Sequence, residues 1–234
     1  MIKLIALDAD DTLWHNEHMF LETRDRFREL LSEYHSDDWV DERLNSTELR
    51  NLKHFGYGIK SFVLSMIETA VELTEGRIRG NQVMEIVGFA KDMSNSPVRL
   101  LDHVEDTVRQ LASRHQLVVI TKGDLFDQES KLARSGLGDY FSGFEVVTEK
   151  NCATYESVVE RTCGDPSTFL MIGNSIKSDV IPVVEMGGNA IHIPYHTMWE
   201  HETVSEDEAK KYSFLTAASI AEVPTLVAEL SLRN

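Results

Sequence analysis

Residues 4–13 read Leu4-Ile5-Ala6-Leu7-Asp8-Ala9-Asp10-Asp11-Thr12-Leu13. An apolar run of strand length that stops abruptly at acidic residues is the pattern of a buried parallel strand whose C-terminal tip opens into polar surroundings. In open α/β sheets ligands bind beyond such tips, so this stretch predicts both the sheet and the place of its chemistry. Asp8 and Asp10 alternate along an extended backbone, which keeps their carboxylates apart, and the Thr12 hydroxyl can hydrogen-bond back to the turn and fix it. One carboxylate is then available to attack and the other to handle protons. The same residues also fit a plain water-exposed acidic turn after a strand, and the remaining chain has to decide between the two.

The chain has 234 residues, enough for one large domain or two modest ones with a real core. With 39 acidic against 23 basic residues its formal charge is −16, which argues against nucleic acid or an anionic membrane as partner. A phosphate-handling site on such a protein needs local compensation from a divalent cation, a lysine and backbone N–H groups. Cys152 and Cys163 fall in one expected helical segment with neither zinc-type nor redox-type spacing, and read as ordinary reduced thiols. No signal peptide and no bilayer-length apolar run is present, so a soluble cytoplasmic protein is expected and the sequon Asn45-Ser46-Thr47 is a coincidence.

From about Trp14 to Pro97 the periodicity is helical. Phe20, Phe27, Leu30, Leu31 and Tyr34 mark a first helix, and Trp39, Leu44 and Leu49 a second. Gly56-Tyr57-Gly58 interrupts before the clearest stripe, Ile59, Phe62, Val63, Met66, Ile67 and Ala70, which reads as core. A fourth helix is expected from Asn81 as N-cap, through the apolar positions Val83, Met84, Ile86, Val87 and Ala90, to the breaker Ser94-Asn95-Ser96-Pro97. After Val98 helices alternate with strands at Leu117–Thr121, Phe144–Val147, Thr168–Ile172 and Ala190–Ile193, followed by a short strand and a helix over Ser219–Leu230. Such alternation predicts a doubly wound, Rossmann-like parallel sheet. The expected domains are an α/β core of residues 1–14 and 98–234, and a helical-bundle cap inserted at 15–97.

The polar strand tips, in order, are Asp8 with Asp10, Thr121, Lys150, and Gly173-Asn174-Ser175 with Asp179. In order and residue type they resemble the haloacid dehalogenase-like hydrolase superfamily, in its phosphatase branch with a helical cap inserted after the first motif. The resemblance runs over the whole chain, and Thr121-Lys122-Gly123 with Gln128, Ser135-Gly136-Leu137 and Tyr140-Phe141 is similar to the connection those proteins carry between their second and third motifs. It implies an Mg²⁺-dependent phosphatase of a small phosphorylated metabolite, with Asp8 as nucleophile and Asp10 as the acid and base. It further implies Mg²⁺ on the Asp8 carboxylate, the Asp10 carbonyl, Asp179 and, directly or through water, Asn174. Phosphoryl oxygens would fall to the Thr121 hydroxyl and Lys122 N–H, with Lys150 offsetting charge.

Taken singly, Lys150 is also readable as a solvated lysine, Thr121 as a turn cap and Asp179 as a helix cap; jointly the functional reading is preferred. Asn151 follows Lys150 where relatives commonly have proline, which leaves Lys122 or Lys177 as sharers of its role. Asn174 stands where many relatives have aspartate, giving the metal one fewer anionic neighbour. Asp10 separates this chain from dehalogenase relatives, which lack that acid, and leaves hydrolysis ahead of a phosphomutase outcome. A receiver-like signalling domain accepts phosphate on a middle strand and has no helical insertion after its first. A catalytically silent phosphate-binding relative is the remaining alternative. In the cap, His54 and Tyr57 are the candidate specificity residues, alongside a plain connector reading. His192, His196 and His201, near Trp199, match no zinc spacing and read as surface histidines.

Overall fold

The computed structural model describes residues 1–197 and 199–233. In chain order the elements are β1 (Leu4–Leu7), α1 (Glu17–Leu31), α2 (Asp37–Phe55), α3 (Ile59–Leu73), α4 (Gly80–Asn95), α5 (Val104–Ala112), β2 (Gln116–Lys122) and α6 (Leu125–Ser135). They continue with β3 (Gly143–Val147), α7 (Cys152–Arg161), β4 (Phe169–Gly173), α8 (Ile181–Glu185), β5 (Asn189–His192), α9 (Glu206–Ala209), β6 (Leu215–Thr216) and α10 (Val223–Arg233). By contacts the chain divides into two units, residues 1–17, 98–122 and 129–234, and residues 18–97 with 123–128.

In the first unit six parallel strands lie in the order β3-β2-β1-β4-β5-β6, the doubly wound arrangement, with helices on both faces. Strand alternation sends Ile5, Leu7, Leu117, Val119, Leu170 and Ile172 to one face, against α5 and α10, and Leu4, Ala6, Val118, Ile120 and Met171 to the other, against α7 and α8. Burial on both sides is why these strands carry no polar residue until their ends. Leu7 pairs with Val119 on one side and Ile172 on the other, and Asp8 N–H donates to Ile172 O at 2.9 Å, so the tips of β1, β2 and β4 come level. The strand order reverses at β1, so the crevice at the switch point lies between the tips of β1 and β4. His15 N–H donates to Arg99 O and Leu101 N–H to Leu13 O, each at 3.0 Å, which holds together the two chain segments on either side of residues 18–97.

The second unit is helical. Phe27, Leu31, Val40, Leu44, Ile59, Phe62, Val63, Met66, Ala70, Ile86, Phe89 and Met93 form its core, the α3 stripe at the centre. Trp39, Leu49 and Met84, read from periodicity as inward-facing, are exposed; Leu44 and Ile86 carry the contacts of α2 and α4 instead. The N-cap of α4 is Arg79 and not Asn81: Gln82 Oε1 accepts from the Arg79 N–H at 3.2 Å, which starts the helix earlier. Residues 123–128 group with this unit because Lys60 of α3 donates to both Asp124 oxygens at 3.0 Å and a Cβ at Gly58, whose φ is +106°, would come within 3.1 Å of Asp124 N. Cys163 lies beyond the end of α7, so the two cysteines do not share a helix. Among the described residues no helix is long and apolar enough to cross a membrane.

Candidate active site

The strand tips of the first unit deliver three charged groups to one buried point. Lys150, which follows β3, donates Nζ–H to Asp8 Oδ1 and, at 2.7 Å, to Asp179 Oδ1. All three side chains are almost fully buried, at 2%, 9% and 1% exposure, so the lysine is no surface residue. Asp179 arrives there because the π-helical turn Ile176–Val180 follows β4 at once, Ser175 capping it from its side chain to Ser178 N–H. Asp179 Oδ2 also accepts from Ser175 N–H at 3.0 Å. This packing requires a glycine at 173, where a Cβ would lie 2.2 Å from Asp179 Oδ2.

Thr12 Oγ1 is 3.1 Å from Asp8 Oδ2 and 3.4 Å from Asn174 Oδ1, so the turn hydroxyl contacts the Asp8 carboxylate directly. Burial pushes the Asp8 carboxyl up; Lys150 pulls it back, and the neighbouring Asp179 charge pushes it up again. Asp11 holds a left-handed backbone, φ 60°, tolerated by aspartate, and its carboxylate accepts from Asn16 N–H at 2.8 Å and Glu17 N–H at 3.0 Å. Asp11 therefore shapes the loop that presents Asp10, and burial raises it to about 7.

Asp10 does not join the Lys150 cluster. Its Oδ1 accepts from Trp14 Nε1 at 2.7 Å and from Lys131 Nζ at 3.1 Å, and Lys131 also reaches Oδ2 at 3.2 Å. Thr121 is buried at the end of β2, its hydroxyl donating to Lys122 O at 3.2 Å. The Lys122 ammonium is engaged with Glu202 Oε1 at 2.6 Å and Ser178 Oγ at 3.0 Å, and Lys177 donates to His201 O at 2.6 Å. Both alternatives to Lys150 are thus committed elsewhere, while Lys150 itself reaches Asp8. His54, exposed in the last turn of α2, and Tyr57, between α2 and α3, belong to the helical unit. His192 is not a surface residue: it is buried, its Nε2 donates to Asn174 O at 3.0 Å, and burial lowers its pKa.

Sequence reasoning missed Trp14, Lys131 and Glu202. The Glu202 carboxylate accepts from Lys122, Ser175 and Ser178, tying the end of β2 to the turn that carries Asp179. A signal for Lys131 existed in α6, where Asp127, Gln128 and Lys131 form a buried polar stripe at helical spacing.

The oxygen donors around Asp8 are those of a hard-cation site. Asp8 and Asp179 set two buried carboxylates against the single Lys150 ammonium, and the Asn174 amide oxygen lies 3.4 Å from the Thr12 hydroxyl that also contacts Asp8. Among the described residues no three His, Cys, Asp or Glu side chains converge as a metal cluster, and Mg²⁺ is the ion that makes do with one or two carboxylates and keeps waters. The residues fit that ion.

The haloacid dehalogenase-like hydrolase family model matches residues 2–187. A haloacid dehalogenase-like family hydrolase from Xanthomonas campestris is 38% identical, with a TM-score of 0.88, over 99% of this chain and 93% of that one. The chain belongs to the haloacid dehalogenase-like hydrolases. A member of this superfamily from Bacillus subtilis, YfnB, solved bound to magnesium, shares the fold at 16% identity and TM-score 0.66 over 97% of this chain and 99% of that one. The 2-haloacid dehalogenase of Pseudomonas syringae pv. tomato does so at 20% and 0.64, over 98% and 99%. Because a dehalogenase shares this hydrolase fold, the reaction has to be argued from the site. No curated protein matches the chain.

Proposed function

We propose that this hydrolase is an Mg²⁺-dependent phosphatase that cleaves a small phosphate monoester through an aspartyl-phosphate on Asp8. The observation that carries the reading is the second carboxylate: Asp10 stands two residues beyond Asp8, held apart from the Lys150 cluster by Trp14 and Lys131. Displacing an alkoxide from phosphorus requires a proton at the leaving oxygen, whereas displacing a halide requires none. A residue placed like Asp10 is what the first reaction needs.

In the first step an Asp8 oxygen forms a bond to phosphorus as the ester P–O bond breaks, and Asp10 gives its proton to the departing oxygen. In the second, Asp10 takes a proton from water, which attacks phosphorus and frees Asp8; such acid–base assistance contributes about 10²–10⁴ in rate. Lys150 keeps Asp8 oriented and offsets the charge collected around it, and Thr12 fixes the second carboxylate oxygen. Thr121 and the Lys122 N–H are assigned to the phosphoryl oxygens. Asp8, Asp179, Asn174 and the Asp10 carbonyl would hold Mg²⁺, which would supply the positive charge that lets an anionic nucleophile meet an anionic phosphate. Substrate choice is assigned to the helical unit, with His54 and Tyr57 as the residues to vary.

Phosphate release from a panel of phosphorylated metabolites and one aryl phosphate, with Mg²⁺ and with chelator, tests the reading. Metal-dependent release that disappears in Asp8→Asn supports it. Absence of release from every member of the panel at all Mg²⁺ concentrations contradicts it.

A further inference from the structure

Lys131 is a buried cation with no part in the chemistry above. From α6 it donates to Asp10 Oδ1 and Oδ2 at 3.1 and 3.2 Å and to Asn16 Oδ1 at 2.8 Å, and its side chain is only 8% exposed. The same Asp10 Oδ1 accepts from the indole N–H of fully buried Trp14 at 2.7 Å. Two donors from separate elements, one a rigid indole and one an ammonium anchored a second time on Asn16, define both the position and the rotation of one carboxyl group. A side chain that must deliver a proton to a departing oxygen gains rate from such fixed geometry, because a misplacement near 1 Å costs on the order of 10²-fold.

We infer that Lys131, together with Trp14, is the positioning residue for Asp10, aiming its carboxyl at the leaving-group oxygen. Lys131 touches neither substrate nor phosphorus in this account, and the inference rests on the phosphatase reading. Its consequence is selective. The proton matters when the departing group is a basic alkoxide and hardly at all when it is an aryl oxide that leaves unprotonated. The parameter to compare is kcat/KM, which covers binding through breakage of the ester bond; kcat also includes hydrolysis of the phospho-Asp8, where Asp10 acts again.

The test compares kcat/KM for an alkyl phosphate and for p-nitrophenyl phosphate in wild type, Lys131→Gln and Trp14→Phe. Lys131→Gln is expected to lower the alkyl value about 10²-fold and the aryl value by less than about threefold. Trp14→Phe removes the indole N–H together with part of the buried ring, keeps an aromatic side chain in the core, and is expected to shift the same alkyl-to-aryl ratio in the same direction, so it carries the test if Lys131→Gln does not fold. Equal losses on both substrates would make the contacts merely structural, and unchanged values would make them idle; either result overturns the inference. Wild-type enzyme inactive on both esters would instead defeat the phosphatase reading on which it depends, and the inference with it.

Discussion

Gly173 and Asp179 are in such close approach that a Cβ on the glycine would lie 2.2 Å from Asp179 Oδ2 and 2.7 Å from its Cβ. Neither side yields without cost, since β4 is central in the sheet and Asp179 is held by Lys150 and by Ser175 N–H, and the side chain is freer to move than the strand. Gly173→Ala is therefore expected to displace Asp179. The predicted result is a loss of about 1–3 kcal/mol in stability and of most Mg²⁺-dependent turnover, read by urea denaturation and by the Mg²⁺ concentration for half-maximal activity. An unchanged Mg²⁺ requirement would place Asp179 outside the metal site.

Lys150 is the counter-ion of two buried carboxylates, so its removal leaves them facing each other. Lys150→Met is predicted to destabilise the protein by roughly 3–5 kcal/mol at pH 8. Burial already pushes Asp8 up, and losing the ammonium pushes it further, so the mutant folds with that carboxyl protonated at lower pH. The deficit relative to wild type should accordingly shrink at pH 5. Denaturant midpoints of both proteins at the two pH values check this; the same deficit at pH 5 and pH 8 would contradict it.

Glu48 of the helical unit is buried against Arg24, and desolvation raises its carboxyl from 4.5 to about 7 despite that partner. Between those values the folded chain holds a proton that the unfolded chain has released, so stability falls as pH rises through this window and is level above it. The contribution is on the order of 1–3 kcal/mol. Glu48→Gln should remove it, so the difference between mutant and wild-type unfolding free energies is expected to grow from pH 4.5 to pH 7; parallel pH curves would show that Arg24 keeps Glu48 charged throughout.

The sheet and its tips were readable because strands buried on both faces must be apolar until they end. β1, β2 and β4 therefore announce themselves, and Asp8, Thr121 and Asn174 are conspicuous as the polar residues that stop them. Lys150 was harder, since a lysine after the short half-buried β3 has no pattern of its own; only the fold separates it from Lys122 and Lys177. Glu202, and the partner of Lys131 as distinct from its place in the polar stripe of α6, were invisible for a different reason. Lys131 and Glu202 each act on a residue far away in sequence, Asp10 at a separation of 121 and Lys122 at 80, and local periodicity carries no such information. The exposed Trp39, Leu49 and Met84 show the opposite limit, because helical spacing alone does not say which of several apolar stripes turns inward.

The central claim is that Asp8 carries the phosphoryl group. The most direct measurement is peptide mass mapping of acid-quenched enzyme turning over p-nitrophenyl phosphate with Mg²⁺, in wild type, Asp8→Asn and Asp10→Asn. The account predicts one phosphoryl group on the peptide containing Asp8, absent in Asp8→Asn and accumulating in Asp10→Asn, where the base for its hydrolysis is missing. Turnover that persists in Asp8→Asn, or a phosphoryl group found on any other residue, would contradict it.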